Sequence, residues 1–255
     1  MTTMFSLEGH TALVTGASRG LGRAIAVGLA GAGADIVAVA RSGSGLSETA
    51  EAVGACGCRC HVFTADLSDV ASIANLFEEM DAAGTAADIL VNNAGMEEVR
   101  PSVDVDEALW DRIVDTNMKG AFFVATRFAR RLLAHGLTGA IVNTCSLTSA
   151  VGVPTAAPYT ASKSGLLGIT RALSTEWSPK GIRVNAIGPG YFRTELTEAF
   201  YRDAGWQEAM IGKIPMGRFG ELDDVVGACI FLSSGASAYV TGQLLFIDGG
   251  YMASI

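Results

Sequence analysis

The sequence has few charged residues and no basic tract. Of its 255 residues, 17% are charged and 49% are hydrophobic, and the net charge is −8. This composition excludes intrinsic disorder, because the chain has ample apolar material for a buried core. The lysines and arginines are scattered and the balance is acidic, which argues against nucleic acid or an anionic membrane as a partner.

Long apolar runs are also missing. The longest uncharged apolar stretch, residues 24–34, is too short to span a bilayer. The first ten residues lack a basic segment followed by an apolar core, and Glu8 interrupts the run, so we expect no signal peptide. Five cysteines, an odd number, favour a reducing compartment over a disulfide framework. We therefore expect a cytoplasmic protein that does not bind membranes.

Three of the five cysteines form the only cluster that suggests a metal. Cys56, Cys58 and Cys60 alternate with other residues, whereas zinc sites use C-x-x-C pairs or histidine partners. His61 is adjacent to Cys60, and adjacent residues on a strand point to opposite faces. We expect a loop that leads into a strand, and no metal site.

Short apolar runs alternate with helical segments along the whole chain. Strands are predicted at 11–15, 35–40, 60–65, 88–91, 140–143, 182–187 and 244–247, and helices at 23–30, 70–82, 106–133 (one or two helices), 156–173 and 222–232. This alternation predicts an α/β fold, a doubly wound parallel sheet of the Rossmann type with seven strands and helices on both faces. No linker or repeat interrupts it, so we expect one domain over residues 1–255, with residues 191–218 as a substrate lid.

The first strand, turn, helix and strand form a βαβ unit of the kind that binds dinucleotides. Glycines in the turn at residues 16–22 let the backbone approach a pyrophosphate, and the helix that follows supplies unpaired N–H groups. The spacing G-x-x-x-G-x-G differs from the common G-x-G-x-x-G. The unit taken alone therefore also fits an ordinary glycine turn between a strand and a helix.

Tyr159 and Lys163 lie four residues apart in a predicted helix, so they share one helical face. A phenol has a reference pKa of about 10, and an adjacent ammonium group lowers that pKa. The pair is therefore a candidate proton donor and acceptor for an alcohol or carbonyl oxygen. Taken alone, this spacing also occurs often by chance.

Together, these motifs resemble the short-chain dehydrogenase/reductase family in order and spacing. The residues that carry the resemblance are 15–22, 92–95, Asn117, Ser146, Tyr159, Lys163 and 189–190. It covers nearly the whole chain, from Leu7 to the C-terminus. The resemblance implies reversible hydride transfer between a nicotinamide cofactor and an alcohol or ketone, catalysed by a homotetramer.

The resemblance assigns a role to each of four catalytic residues. Tyr159 would be the general acid and base, and Lys163 would hold the nicotinamide ribose and depress the phenol pKa. Ser146 would hydrogen-bond the substrate oxygen. Asn117 would hold a water that relays protons towards Lys163. The structural alternatives are that Ser146 caps a turn and that Asn117 is a helix-surface amide.

A larger set of residues is expected to bind the cofactor. It consists of Gly16, Ser18, Arg19, Gly20, Leu21, Gly22, Arg41, Asp66, Leu67, Asn93, Ala94, Gly95, Tyr159, Lys163, Pro189, Gly190, Phe192 and Thr194. The second strand ends without a carboxylate for a ribose 2′-hydroxyl, and Arg41 or Arg19 would pair with a 2′-phosphate. We therefore favour NADP, with NAD bound beside solvated arginines as the alternative.

The C-terminal third is similar to sugar and sugar-acid dehydrogenases, nearest to the gluconate 5-dehydrogenase and 2-deoxy-3-ketogluconate dehydrogenase types. We expect a sugar, sugar acid or polyol as the small-molecule substrate. The 3-oxoacyl-carrier-protein reductases share much of the pattern, and a non-catalytic NAD(P)-sensing regulatory protein is a further alternative. A complete set of four catalytic residues favours an enzyme over a sensor.

The sequence leaves open which side chains would contact the substrate. Lid aromatics that would line an apolar pocket are Phe192, Phe200, Tyr201 and Trp206. Cations that would meet a carboxylate, or lie solvated on helices, are Arg100, Arg193, Arg202 and Lys213. Glu97 and Glu98 would disfavour an anionic substrate if they point inward.

Overall fold

A seven-stranded parallel sheet forms the centre of the computed structural model, which describes residues 3–193, 201 and 203–254. The strands are β1 (Thr11–Thr15), β2 (Asp35–Ala40), β3 (Cys60–Thr64), β4 (Ile89–Asn92), β5 (Gly139–Thr144), β6 (Ile182–Pro189) and β7 (Leu244–Ile247). Their order in the sheet is β3-β2-β1-β4-β5-β6-β7, and every neighbouring pair is parallel. The predicted doubly wound sheet of seven strands is confirmed.

Helices cover both faces of the sheet. They are α1 (Gly20–Gly31), α2 (Leu46–Ala55), α3 (Val70–Ala82), α4 (Glu107–Val114), α5 (Ala121–Ala134), α6 (Ala157–Trp177), α7 (Ala204–Ile211) and α8 (Val226–Ser233). Successive strand residues point to opposite faces, so Val14 packs with α1 and α8 whereas Leu13 packs with α3 and α5. The two apolar cores lie above and below the same strands.

Two helices have no counterpart among the sequence predictions. Helix α2 buries only Leu46, Thr49 and Val53, so its apolar periodicity is weak. Helix α7 buries none of its residues and lies in the segment that the sequence marks only as polar and aromatic. A helix that contributes little to the core leaves little trace in the hydrophobic pattern.

The long helical segment predicted at 106–133 is interrupted in the structure. Helices α4 and α5 are joined by a π-helical turn over Asp115–Gly120. A Cβ atom on Gly120 would lie 2.1 Å from the Leu67 carbonyl oxygen, so the turn packs directly against the loop that follows β3. Single π-helical turns within helices are frequent at functional sites.

Several element boundaries differ from the predictions by a few residues. Helix α1 begins at Gly20 instead of residue 23, and β3 ends at Thr64 instead of residue 65. The predicted helix at 222–232 is a 3₁₀ turn, Leu222–Val225, followed by α8. Among the described residues, no helix is both long and apolar enough to cross a membrane.

Candidate active site and nucleotide cavity

A cavity of about 380 Å³ lies at the carboxyl ends of the strands, where β1 and β4 are neighbours and the strand order reverses. Parallel doubly wound sheets bind their ligands at this place. Every described residue that the sequence predicts as a cofactor contact lines the cavity, and Thr194 falls outside the described residues. Ser146, Tyr159 and Lys163 line it as well, whereas Asn117 does not.

The glycine-rich turn at residues 16–22 begins the nucleotide end of the cavity. Gly16 and Gly20 have φ values of +67° and +55°, in the region where residues with a side chain are strained. A Cβ atom on Gly22 would lie 2.1 Å from the Gly16 carbonyl oxygen. Glycine is therefore required at Gly22 by the close approach of the helix to the turn.

The loop after β4 is fastened to this turn. The Thr15 hydroxyl accepts hydrogen bonds from the backbone N–H groups of Asn93 and Ala94, at 3.0 and 3.1 Å. The Asn93 amide donates in return to the Thr15 carbonyl oxygen at 3.0 Å. These three bonds hold the carboxyl ends of β1 and β4 in a fixed relation.

Arg41 stands exposed just beyond the end of β2, and Arg19 is exposed in the turn. Asp66 lines the same end, and its pKa is held below its ordinary value mainly by hydrogen bonds from Ser68, with a smaller contribution from Arg41. No carboxylate follows the last residue of β2 directly. The charge at this end of the cavity therefore suits an anionic group.

Arg23 supports the same end and has no role in the sequence predictions. Its guanidinium donates to the Ser18 and Gly45 carbonyl oxygens at 2.5 and 3.2 Å and pairs with Glu48 at 2.6 Å. It thereby ties the glycine-rich turn to the segment after β2. An arginine directly after the last glycine is the only sequence signal for this contact.

Tyr159 and Lys163 face the catalytic end of the cavity from the first two turns of α6. The Lys163 ammonium lies 5.6 Å from the centre of the Tyr159 ring and donates to the Thr144 carbonyl oxygen at 2.7 Å. Lys163 is only 3% exposed. The helix places the two side chains together, as their spacing predicts.

The predicted depression of the Tyr159 pKa is wrong for this structure. Burial raises the pKa of the phenol well above its ordinary value, and the carboxylate of Glu97 raises it further. Only the hydrogen bond with Ser146 acts in the opposite direction to a notable extent. Lys163 has its own pKa lowered by burial. Loss of hydration therefore outweighs the proximity of the ammonium group.

Ser146 serves both as a cavity residue and as a helix cap. Its hydroxyl accepts from the Thr148 N–H at 3.2 Å, and the Ser149 hydroxyl accepts from the Ser146 N–H at 3.3 Å. Ser149 also donates to the Lys163 carbonyl oxygen at 2.9 Å. The capping alternative is thus real, and it fixes Ser146 relative to α6.

Asn117 lies buried in the π-helical turn, with 1% of its surface exposed. Its side-chain oxygen accepts from the Met96 N–H, and its amide donates to the Met96 carbonyl oxygen, both at 2.8 Å. The amide also donates to the Ser162 hydroxyl at 3.1 Å. Asn117 is therefore not a helix-surface amide. Its side chain fixes the backbone between Gly95 and Glu97.

Glu97 and Glu98 point in different directions. Glu97 lines the cavity near Tyr159 and Lys163, and burial raises the pKa of its carboxyl while Lys163 lowers it. Glu98 forms ion pairs with Arg100 and Arg112 at 2.5 and 3.0 Å and does not line the cavity. The sequence identifies this pair but cannot say which member faces inward.

Aromatic side chains form the wall opposite the strands. Phe192, Tyr201 and Trp206 line the cavity as predicted, and Tyr191 joins them. The ring centres of Tyr191 and Trp206 lie 5.7 Å apart, and those of Tyr201 and Trp206 lie 5.4 Å apart. Phe200 lies outside the described residues.

Three of the four cations considered for a substrate carboxylate are described, and none of these three lines the cavity. Arg100 is engaged by Glu98 and by Asp106, the latter at 3.1 Å. Arg193 and Lys213 are exposed and do not line the cavity. Arg202 lies outside the described residues.

The sequence matches the family model described as enoyl-(acyl carrier protein) reductase over residues 16–252. It is 42% identical over 249 residues to the 2-dehydro-3-deoxy-D-gluconate 5-dehydrogenase of Dickeya dadantii (strain 3937), which covers 98% of both chains. The chain therefore belongs to the short-chain dehydrogenase/reductase family, as its motifs predict.

Solved structures agree with this assignment. A candidate short-chain alcohol dehydrogenase from Sinorhizobium meliloti 1021 superposes with a TM-score of 0.95 at 55% identity, covering 99% of this chain and 100% of that chain. A gluconate 5-dehydrogenase from Burkholderia cenocepacia J2315, in complex with NADP and tartrate, has a TM-score of 0.95 at 38% identity and covers 99% of each chain. The likeness to both extends over nearly the full length.

Proposed function

We propose that this protein transfers a hydride between NADP and a ketone or secondary alcohol of a sugar, sugar acid or polyol. The observation that carries the proposal is one cavity in which a glycine-rich turn and Arg41 lie at one end and Ser146, Tyr159 and Lys163 at the other. The names of the relatives from Dickeya and Burkholderia support a polyhydroxylated substrate.

The residues at the nucleotide end fit NADP. A side chain at Gly22 would collide with the turn, so bare backbone is available to a pyrophosphate there. The end of β2 offers Arg41 where an NAD-selective site would place a carboxylate. The neighbour solved with NADP supports the same choice. NADP would supply or accept the hydride, and these residues would hold its diphosphate and 2′-phosphate.

The residues at the catalytic end would transfer the proton to or from the substrate oxygen. In ketone reduction, the Tyr159 phenol donates a proton to the substrate oxygen, while the Ser146 hydroxyl donates a hydrogen bond to that oxygen as negative charge develops on it. Alcohol oxidation reverses the proton transfer. Lys163 lies next to Tyr159 and, we propose, orients the nicotinamide ribose. Because burial raises the Tyr159 pKa, the phenol stays protonated, and the protonated phenol is the form that donates the proton in ketone reduction.

Asn117 is assigned a positioning role in this scheme. Its three side-chain hydrogen bonds are made to Met96 and Ser162, so both N–H donors of the amide are engaged by protein groups. We propose that it fixes the segment that separates the two ends of the cavity. The water relay through Asn117 remains a prediction.

The test of the proposed function is turnover by the purified protein with NADPH and a panel of ketoses and keto acids, and with NADP⁺ and the corresponding alcohols. We expect oxidation of NADPH with at least one polyhydroxylated ketone. Tyr159→Phe should abolish it and still bind NADPH. Turnover by that variant at the wild-type rate, or no turnover with any member of the panel, would contradict the proposal.

We further propose that the protein is a homotetramer in the cytoplasm. Strand β7 is an edge of the sheet and Leu245 on it is 39% exposed, which supports association through that edge. Phe128 on α5, in contrast to Leu245, is only 2% exposed and packs in the core of its own chain, so it does not support association. Light scattering coupled to size-exclusion chromatography tests the assembly, and a mass of one chain would contradict it.

A further inference from the structure

Glu97 introduces negative charge at the place where the substrate reacts. It lines the cavity together with Tyr159 and Lys163. Its charge also raises the pKa values of Tyr159 and Tyr191, so the carboxylate lies within electrostatic reach of both phenols. A carboxylate beside the proposed proton donor is not needed for proton transfer, which suggests another purpose.

The backbone around Glu97 is held firmly. Asn117 binds both the N–H and the carbonyl oxygen of Met96 at 2.8 Å, one residue before Glu97. On the other side, Glu98 is anchored outside the cavity by Arg100 and Arg112. The carboxylate of Glu97 is thus presented to the cavity by a segment that is fixed at both ends.

Three described cations line the cavity. They are Arg19 and Arg41, which stand at the carboxyl ends of β1 and β2, and Lys163, which donates to the Thr144 carbonyl oxygen. A substrate carboxylate at the catalytic end would meet the like charge of Glu97. Lys163, whose charge acts on Glu97, is the one described cation that lines that end, and no described guanidinium lines it.

A carboxylate at this position can bind the hydroxyl groups of a neutral polyol. Ionised carboxylates only accept hydrogen bonds, and each oxygen can accept more than one. The hydroxyl groups next to a reacting carbon are donors of the right kind, and hydrogen bonds to a charged acceptor are stronger than those between neutral groups. A like charge on the substrate, in contrast, would be repelled.

We propose that Glu97 determines the charge preference of the site: it accepts hydrogen bonds from the hydroxyl groups of a neutral sugar or polyol and disfavours a substrate that carries a carboxylate. This inference rests on the proposed function and narrows its substrate class. It separates this chain from relatives that are named for sugar acids.

The test compares alcohols that differ only in the group at the first carbon and in its charge. D-Gluconate, D-glucitol and 1-amino-1-deoxy-D-glucitol share one carbon skeleton and carry a negative, neutral and positive group at the first carbon. If another stereoisomer is oxidised faster in a preliminary screen, the matched series of that skeleton replaces them. Values of kcat/KM with NADP⁺ are measured for the wild type, for Glu97→Gln, which keeps the shape and removes the charge, and for Glu51→Gln as the control. Glu51 is an exposed carboxylate on α2 that does not line the cavity.

We expect the wild type to prefer the neutral polyol over the acid by at least about tenfold. Glu97→Gln should raise kcat/KM for the acid relative to the polyol by about tenfold or more, while Glu51→Gln leaves the ratio unchanged. The preference of the wild type is informative even if a variant fails to fold.

Four results would overturn parts of this account, and they have distinguishable consequences. A wild type that prefers the acid, or an unchanged ratio in Glu97→Gln, would refute the role of Glu97 and leave the proposed function intact. A strong preference for the amino polyol that is lost in Glu97→Gln would replace the neutral substrate with an ammonium compound. No oxidation of any alcohol would refute the proposed function itself.

Discussion

The two ends of the cavity are built on different principles. The nucleotide end is formed mainly by backbone: glycines in the turn after β1, and loops that follow β3 and β4. The catalytic end is formed by side chains from β5, α6 and the segment after β6, with Glu97 and several aromatic rings among them. Backbone N–H groups can bind a pyrophosphate whatever the neighbouring side chains are, whereas side chains can vary with the substrate.

This difference explains how charge is distributed in the cavity. Arg19 and Arg41 stand exposed at the nucleotide end, where water screens them and a phosphate can reach them. At the catalytic end Lys163 is buried and Glu97 is half-buried, and burial shifts the pKa values of both. Affinity for the cofactor and preference for a substrate should therefore respond to separate substitutions.

The largest effect is expected from Tyr159→Phe. Removal of the phenol hydroxyl removes the proposed proton donor, and we expect kcat to fall by at least about a thousandfold. The dissociation constant for NADPH should change little, because the ring remains in place at the catalytic end. Steady-state kinetics measure kcat, and a binding titration measures the dissociation constant for NADPH. A parallel loss of binding would contradict the separation of the two ends.

The next largest effect is expected from Gly22→Ala at the nucleotide end. The added Cβ would lie 2.1 Å from a backbone oxygen, which no side-chain movement relieves. We expect a loss of about 2–3 kcal/mol in the free energy of unfolding, together with much weaker NADPH binding. Chemical denaturation and titration measure both.

Gly168→Ala is the matched control for that variant. Gly168 lies in α6, and apart from its chain neighbours and the surrounding helix backbone no atom lies within 4 Å of the position that its Cβ would take. This substitution should stabilise the protein by about 0.5–1 kcal/mol, because alanine has the higher helix propensity. Equal effects at the two glycines would show that the close approach at Gly22 is not essential.

Ser146→Ala should have an intermediate effect. Loss of one donor to a developing oxyanion lowers kcat by about a hundredfold or more. Because Ser146 also caps the turn that begins at Leu147, stability should fall by about 1 kcal/mol. Ser149→Ala removes the other half of the cap without lining the cavity. It should reproduce the loss of stability with turnover nearly intact, and a hundredfold loss there would assign the effect to structure.

A smaller effect is expected in the pH profiles. Burial and the Glu97 charge raise the Tyr159 pKa, with a lesser contribution from Cys145. The protonated phenol therefore persists through neutral pH, so kcat/KM for ketone reduction should stay flat between about pH 6 and 8. Alcohol oxidation, which needs the phenolate, should rise with pH. A reduction rate that already falls near pH 7 would show that Lys163 governs the phenol pKa instead.

The nucleotide end could be predicted from the sequence almost completely. Glycines that end a short apolar run have few explanations other than a turn, and strand ends in a parallel sheet necessarily meet at one edge. The Tyr159–Lys163 pair could be placed because helical spacing alone brings the two side chains together.

The catalytic end was less predictable for physical reasons. The direction of Glu97 depends on the hydrogen bonds of Asn117 to Met96 and on the ion pair of Glu98 with Arg112, which join residues 21 and 14 positions apart. The pKa of Tyr159 depends on how deeply α6 packs, which no local pattern reveals. The π-helical turn arises from packing against Leu67 and has no periodicity of its own.

The most direct test of the central claim is a fluorescence titration with NADPH and with NADH of the wild type, Arg41→Ala and, as a control for lost charge, Arg130→Ala. Arg130 is an exposed cation on α5 that does not line the cavity. The account predicts that the wild type binds NADPH more tightly than NADH, and that Arg41→Ala weakens NADPH binding by about tenfold or more without affecting NADH. Equal affinity of the wild type for both nucleotides, or an Arg41→Ala variant indistinguishable from Arg130→Ala, would contradict the assignment of that end to NADP.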